Sequence, residues 1–97
     1  MLTIGKIREG IYMAAREFPI TKVELFGSYA EGTNDEKSDV DLLVEFISSS
    51  VSLLTLNSLK YRLEEILDAE VDVVHGPVEN GSLIEIGKVV NLYGAQG

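Results

Sequence analysis

Leu25-Phe26-Gly27-Ser28-Tyr29-Ala30-Glu31-Gly32, followed closely by Ser38-Asp39-Val40-Asp41-Leu42-Leu43-Val44-Glu45-Phe46, is the stretch on which the fold turns. Lys22–Phe26 reads as a short strand, with apolar Val23, Leu25 and Phe26, that stops at Gly27-Ser28. A helical turn is expected through Tyr29–Gly32, then a polar loop over Thr33–Ser38. Val40–Ile47 is rich in β-formers and reads as a buried central strand, with Asp41 and Glu45 set in an apolar run.

Working outward, Ile4, Ile7, Ile11, Ala14, Ala15 and Phe18 recur at spacings of three and four, the stripe of an amphipathic helix over Leu2–Phe18. Gly5 and Gly10 weaken that helix, and Pro19 ends it by pushing the preceding residue out of the helical region. Downstream, Ser48, Ser49 and Ser50 form a turn that also offers a helix N-cap. Leu53, Leu56, Leu59, Leu63, Ile66 and Leu67 mark a second amphipathic helix, with Lys60 and Glu64 four residues apart on its polar side. Asp68-Ala69-Glu70 leads into a third strand, Val71–Val74, closed by His75-Gly76-Pro77. Ser82–Leu92 suggests a last helix capped by Gly94.

The order helix, strand, strand, helix, strand, helix predicts an α/β (α+β) fold. Its sheet is small and mixed, of about three strands, flanked by helices in two or three layers. Residues 1–97 are expected to form one domain. Roughly a dozen residues join the first two strands, which permits but does not require a crossover.

Composition narrows the function classes. Hydrophobic residues are 45% and charged residues 25%, an ordinary globular balance. The 16 acidic and 8 basic residues give a formal charge of −8. Lys and Arg are nowhere clustered, so nucleic acid is not expected as a major partner. A basic protein or a cation is favoured instead. The chain has no cysteine, which excludes disulfides and thiolate zinc sites. The N-terminus lacks the continuous apolar core of a signal peptide, and no apolar run approaches the roughly 20 residues of a membrane span. A cytoplasmic protein is the expectation.

The chemistry lies in the opening stretch. A strand that ends in Gly-Ser and opens a helical turn places backbone N–H groups and a hydroxyl where a phosphate can be held. Residues i and i+2 of a strand share a face, so Asp39 and Asp41 are expected to project together, their Cα atoms about 7 Å apart. Two such carboxylates repel unless a cation lies between them, and an oxygen-only donor set selects hard ions such as Mg²⁺. Asp41 among Val40, Leu42, Leu43 and Val44 is costly unless paired or metal-bound. Alone, Gly27-Ser28 reads as a turn and Asp39-Val40-Asp41 as a loop-to-strand junction. In this order, between strand patterns, they are far more specific.

These residues resemble the signature of the DNA polymerase beta-like nucleotidyltransferase superfamily, most closely its minimal nucleotidyltransferases (MNT). The resemblance is strongest over residues 25–46, "LFGSYAEG…SDVDLLVEF", and extends over nearly the whole chain. It implies the palm-like nucleotidyltransferase fold and transfer of a nucleotide from a nucleoside triphosphate to a hydroxyl. Gly27 and Ser28 would hold phosphates, and Asp39, Asp41 and a third carboxylate would hold Mg²⁺. That third carboxylate falls on Asp72, which would also act as general base. Asp68 reads as part of the turn, and Glu70, on the same strand face as Asp72, stays open as a supporting group. One departure stands out: where many relatives carry arginine in the Gly-Ser turn, this chain has Glu31. Triphosphate binding then needs compensation from Lys37, Lys22 or a partner chain.

The resemblance further implies a HEPN-domain partner in a toxin–antitoxin pair. The MNT chain would be the antitoxin, transferring AMP from ATP to a tyrosine of its partner, in a homo- or hetero-oligomer. The alternative is a non-catalytic subunit that neutralises its partner by stoichiometric masking. A third reading, action on a small molecule such as an aminoglycoside, is disfavoured because 97 residues leave no room for an acceptor-binding domain. His75 reads as a surface or capping residue; Tyr12, Tyr61 and Tyr93 read as partly buried helix positions.

Overall fold

A computed structural model describes residues 2–35, 37–48, 50–76 and 89–94. Helix α1 (Ile4–Ala15) is opened by Thr3, whose hydroxyl accepts the Lys6 N–H at 3.2 Å. It ends ahead of Pro19, and strand β1 (Ile20–Phe26) follows. Gly27 leads into the single turn α2 (Ser28–Glu31), and β2 (Val40–Phe46) returns antiparallel to β1. Helix α3 (Leu53–Leu67) then crosses to β3 (Val71–His75), which lies parallel to β2. The N-cap of α3 is Ser52, not one of the expected Ser48–Ser50, and it accepts the Thr55 N–H at 3.2 Å.

The sheet has four strands in the order β3-β2-β1-β4, where β4 is Val90–Tyr93. Two expectations are corrected here. The sheet gains a strand beyond the expected three, and residues 90–92, expected at the end of a closing helix, form β4 instead. The reason is long-range: β1 has a second edge, and Val90 and Asn91 pair with Leu25 and Glu24 across it. Leu92 then drops into the core at 1% exposure. Gly94 does adopt positive φ (88°), but it ends a strand; a Cβ there would strike the Thr21 carbonyl oxygen. The stretch 82–88 of the expected helix lies outside the described residues.

One face of the sheet carries the core. Val23 and Leu25 of β1, with Val40, Leu42 and Val44 of β2, are fully buried and face α1 and α3. Each helix meets them with the stripe its periodicity predicted: Ile7, Gly10, Ile11 and Ala14 on α1; Leu59, Leu63 and Leu67 on α3. Burying a leucine of this kind contributes about 1.5–3 kcal/mol relative to leaving it exposed. Gly10 has a positive use here: a Cβ at that position would press on Leu67 and Ile66, so the missing side chain lets the two helices approach. The opposite face of the sheet, bearing Lys22, Glu24, Asp41, Glu45 and Asp72, is covered by no helix among the described residues. The site stands on that face.

Candidate active site

The alternation of β2 places Val40 and Leu42 inward and Asp41, half-buried, on the open face. In the parallel ladder Asp41 pairs with Asp72, and in the antiparallel ladder it pairs with Phe26. Burial first, then the neighbouring charges of Asp72 and Asp39, push the Asp41 pKa above its ordinary value. The structure thus brings Asp41 and Asp72 together. Asp39, one residue ahead of β2, also neighbours Glu70: the Val40 N–H donates to the Glu70 carbonyl oxygen at 2.9 Å, and a hydrogen bond with the Asp39 carboxylate raises the Glu70 pKa.

The acidic residues therefore form one row of neighbours: Glu70 beside Asp39, and Asp41 beside both Asp39 and Asp72. Among the described residues no three His, Cys, Asp or Glu side chains converge as a ready-made metal cage. Their chemistry still fits a hard divalent cation. The donors are all oxygens, on adjacent strands, and the like charges around Asp41 are what such a cation would offset.

Gly27 is the tightest element of the site. Its φ of 75° and ψ of −155° lie where side chains other than glycine are strained, and a Cβ would collide with the Asp41 carboxylate. Its carbonyl accepts the N–H groups of Ala30 and Glu31 at 3.1 Å each, which closes α2 and sets Ser28 at the head of that turn. The strand-glycine-serine pattern thus positions a hydroxyl and a carboxylate around one bare Cα.

At the Asp39 end of that row opens a cavity of ≈ 680 Å³ lined by Tyr29, Lys37, Ser38, Asp39, Asp68 and Glu70, among others. Lys22, the other cation considered from sequence, lies between Glu24 and Glu45 at 3.8 and 3.9 Å. His75 packs edge-on against Phe46, with ring centres 5.5 Å apart, and lines no part of that cavity. One contact escaped sequence reading. Lys60 and Glu64 form the expected ion pair at 2.8 Å, but the Glu64 carboxylate also accepts the Val71 N–H at 3.0 Å, pinning the start of the strand that carries Asp72. The four-residue spacing signalled the pair; nothing local signalled its reach to β3.

This strand, glycine turn and paired-carboxylate geometry coincides with a known family: residues 8–91 match the one described as the nucleotidyltransferase domain. The chain belongs to that family. The nucleotidyltransferase is 42% identical over 73 residues to a Methanocaldococcus jannaschii protein assigned as a protein adenylyltransferase, over 75% of this chain and 77% of the relative. It is 37% identical over 78 residues to the protein adenylyltransferase MntA of Thermococcus cleftensis, over 76% and 78% of the two chains. Among solved structures it is similar to a chain of a toxin–antitoxin complex with AMP-PNP, at TM-score 0.77 and 26% identity, covering 92% of this nucleotidyltransferase and 74% of that chain. A chain in the complex of tri-AMPylated Shewanella oneidensis HEPN toxin with MNT antitoxin shares the fold, at TM-score 0.71 and 21% identity, covering 96% and 74%. Among the described residues, no helix is long and apolar enough to cross a membrane.

Proposed function

We propose that this nucleotidyltransferase is an MNT-type antitoxin that transfers AMP from ATP to a tyrosine hydroxyl of a HEPN-type partner, with Mg²⁺. The observation that carries the proposal is the register of Asp41 against Asp72, closed on its other side by Gly27. The names of the similar proteins, protein adenylyltransferase and toxin–antitoxin complex with AMP-PNP, support the donor and the partner.

In this reading Asp39, Asp41 and Asp72 are the residues that would hold Mg²⁺, which offsets phosphate charge and polarises the reacting phosphate. Gly27 and Ser28 hold the phosphates, glycine by allowing close backbone approach and serine through its hydroxyl. Asp72, exposed on the sheet, accepts the proton of the attacking hydroxyl as its oxygen bonds to the α-phosphorus and pyrophosphate leaves. Holding both reactants in line supplies much of the acceleration.

Labelled ATP, Mg²⁺ and the product of the gene adjacent to that of this chain provide the test. Label is expected on the partner with the wild type and not with Asp41→Ala. If the partner stays unlabelled with both, the proposal fails.

Glu31 in the glycine turn favours a second reading in which the chain masks its partner without turnover. Full neutralisation by an Asp39→Ala/Asp41→Ala variant that binds no ATP is its signature.

A further inference from the structure

ATP carries several negative charges, and the site described so far is built from carboxylates. Even with one divalent cation bound, a grip on the distal phosphates calls for a protein cation. The residue next to the glycine turn, Glu31, has the wrong sign.

The other described cations stand elsewhere: Lys6 and Arg16, at the two ends of α1, line other cavities. Lys22 sits between Glu24 and Glu45, four rungs of the β1–β2 ladder from the Phe26–Asp41 pair, or about 14 Å at the usual strand rise. Lys60 is bound to Glu64 at 2.8 Å, and Arg62 to Glu17 and Glu65. Arg8 donates to the Asn91 carbonyl at 3.1 Å. Lys37 makes no ion pair among the described residues and is the one cation lining the cavity beside Asp39.

The placement of Lys37 is built. The Asp35 carboxylate accepts the Lys37 N–H at 2.8 Å, the Ser38 hydroxyl accepts the Asp35 N–H at 2.8 Å, and the Ser38 N–H returns to the Asp35 carbonyl at 3.1 Å. This closed turn ends one residue before Asp39, so it sets the lysine and the first carboxylate of the site in one short stretch of chain. Tyr29, from the glycine turn, lines the same cavity.

We propose that Lys37 binds the distal phosphates of Mg²⁺-bound ATP, in place of the arginine that the glycine turn lacks. This rests on the adenylyl-transfer reading and deepens it. The remaining charged residues lining the cavity, Asp35, Asp39, Asp68 and Glu70, are all acidic. A bare anion is therefore refused, and the ligand enters as the metal complex.

The test is titration calorimetry of the full chain with ATP and with AMP, each with Mg²⁺, on wild type, Lys37→Ala and Lys37→Arg, with circular dichroism to verify folding. A charge-assisted hydrogen bond is strong enough that Lys37→Ala weakens ATP binding by roughly ten-fold or more. AMP, which lacks the distal phosphates, binds both variants as it binds the wild type, and Lys37→Arg restores ATP affinity. ATP affinity unchanged in Lys37→Ala, or ATP and AMP weakened alike, overturns the assignment of Lys37 alone. A wild-type chain that binds no ATP overturns both this assignment and the adenylyl-transfer reading.

Discussion

Asp41 on β2 stands directly across the parallel ladder from Asp72 on β3, while Gly27 leaves bare the space on which the Asp41 carboxylate rests. Two like charges are thus held together by backbone register. Such an arrangement costs stability, which a bound cation would recover.

The cost is measurable at Asp41. Its folded-state pKa is raised above 3.8, so the stability it lends when protonated is lost as pH rises from 3.8 through the raised value. At neutral pH the metal-free wild type carries the penalty in full and Asp41→Asn does not. The variant is expected to melt a few degrees higher at pH 7, with the gap closing as pH falls toward 3.8. Adding Mg²⁺ raises the melting temperature of the wild type and leaves that of Asp41→Asn nearly unchanged. Scanning fluorimetry across pH decides it; a variant no more stable than wild type at pH 7 contradicts the penalty that burial and the neighbouring carboxylates place on charged Asp41.

Gly27→Ala should act on fold and site together. Its Cβ meets the Asp41 carboxylate at a φ of 75°, so the loss is expected to be about 1–3 kcal/mol in urea unfolding. AMP transfer should fall by far more than the unfolded fraction explains, because the residue that moves is Asp41.

The two glycines of α1 separate in the same assay. Gly5 is exposed, and a Cβ there would make only an ordinary contact with the Thr3 hydroxyl at 3.8 Å, so Gly5→Ala should stabilise by about 0.5–1 kcal/mol. Gly10→Val must push Leu67 and Ile66 aside and should destabilise by about 1–3 kcal/mol. Equal effects at both positions would mean that α1 and α3 do not pack as described.

Glu31→Arg restores the charge that the turn lacks in this chain. Calorimetry with Mg²⁺ and ATP should show tighter binding by several-fold, in line with one partly exposed charge contact of about 1 kcal/mol. No change would place the phosphates away from the glycine turn.

Local signals made most of this molecule legible. The helix stripes, the two central strands and the glycine turn between them follow from period and punctuation, and α1, β1, α2, β2, α3 and β3 fall close to where those signals put them. Val89, Val90 and Leu92 fit a helical and a strand spacing equally well, and only the open edge of β1 selects the strand. The site divides in the same way. Asp41 and Asp72 follow from the motif, but the contact of Asp39 with Glu70 depends on how β2 and β3 pair. Lys22 and Lys37 are equivalent as letters; their neighbours across the sheet and around the turn tell them apart.

The bond from Val71 N–H to Glu64 has a consequence for assembly. Among the described residues β3 is an edge strand, and edge strands invite the backbone of another chain to pair alongside them. Here the first donor on that rim is already occupied, by a carboxylate that would also repel an incoming carbonyl. The sheet is thereby discouraged from lengthening beyond β3, which guards against strand-to-strand aggregation.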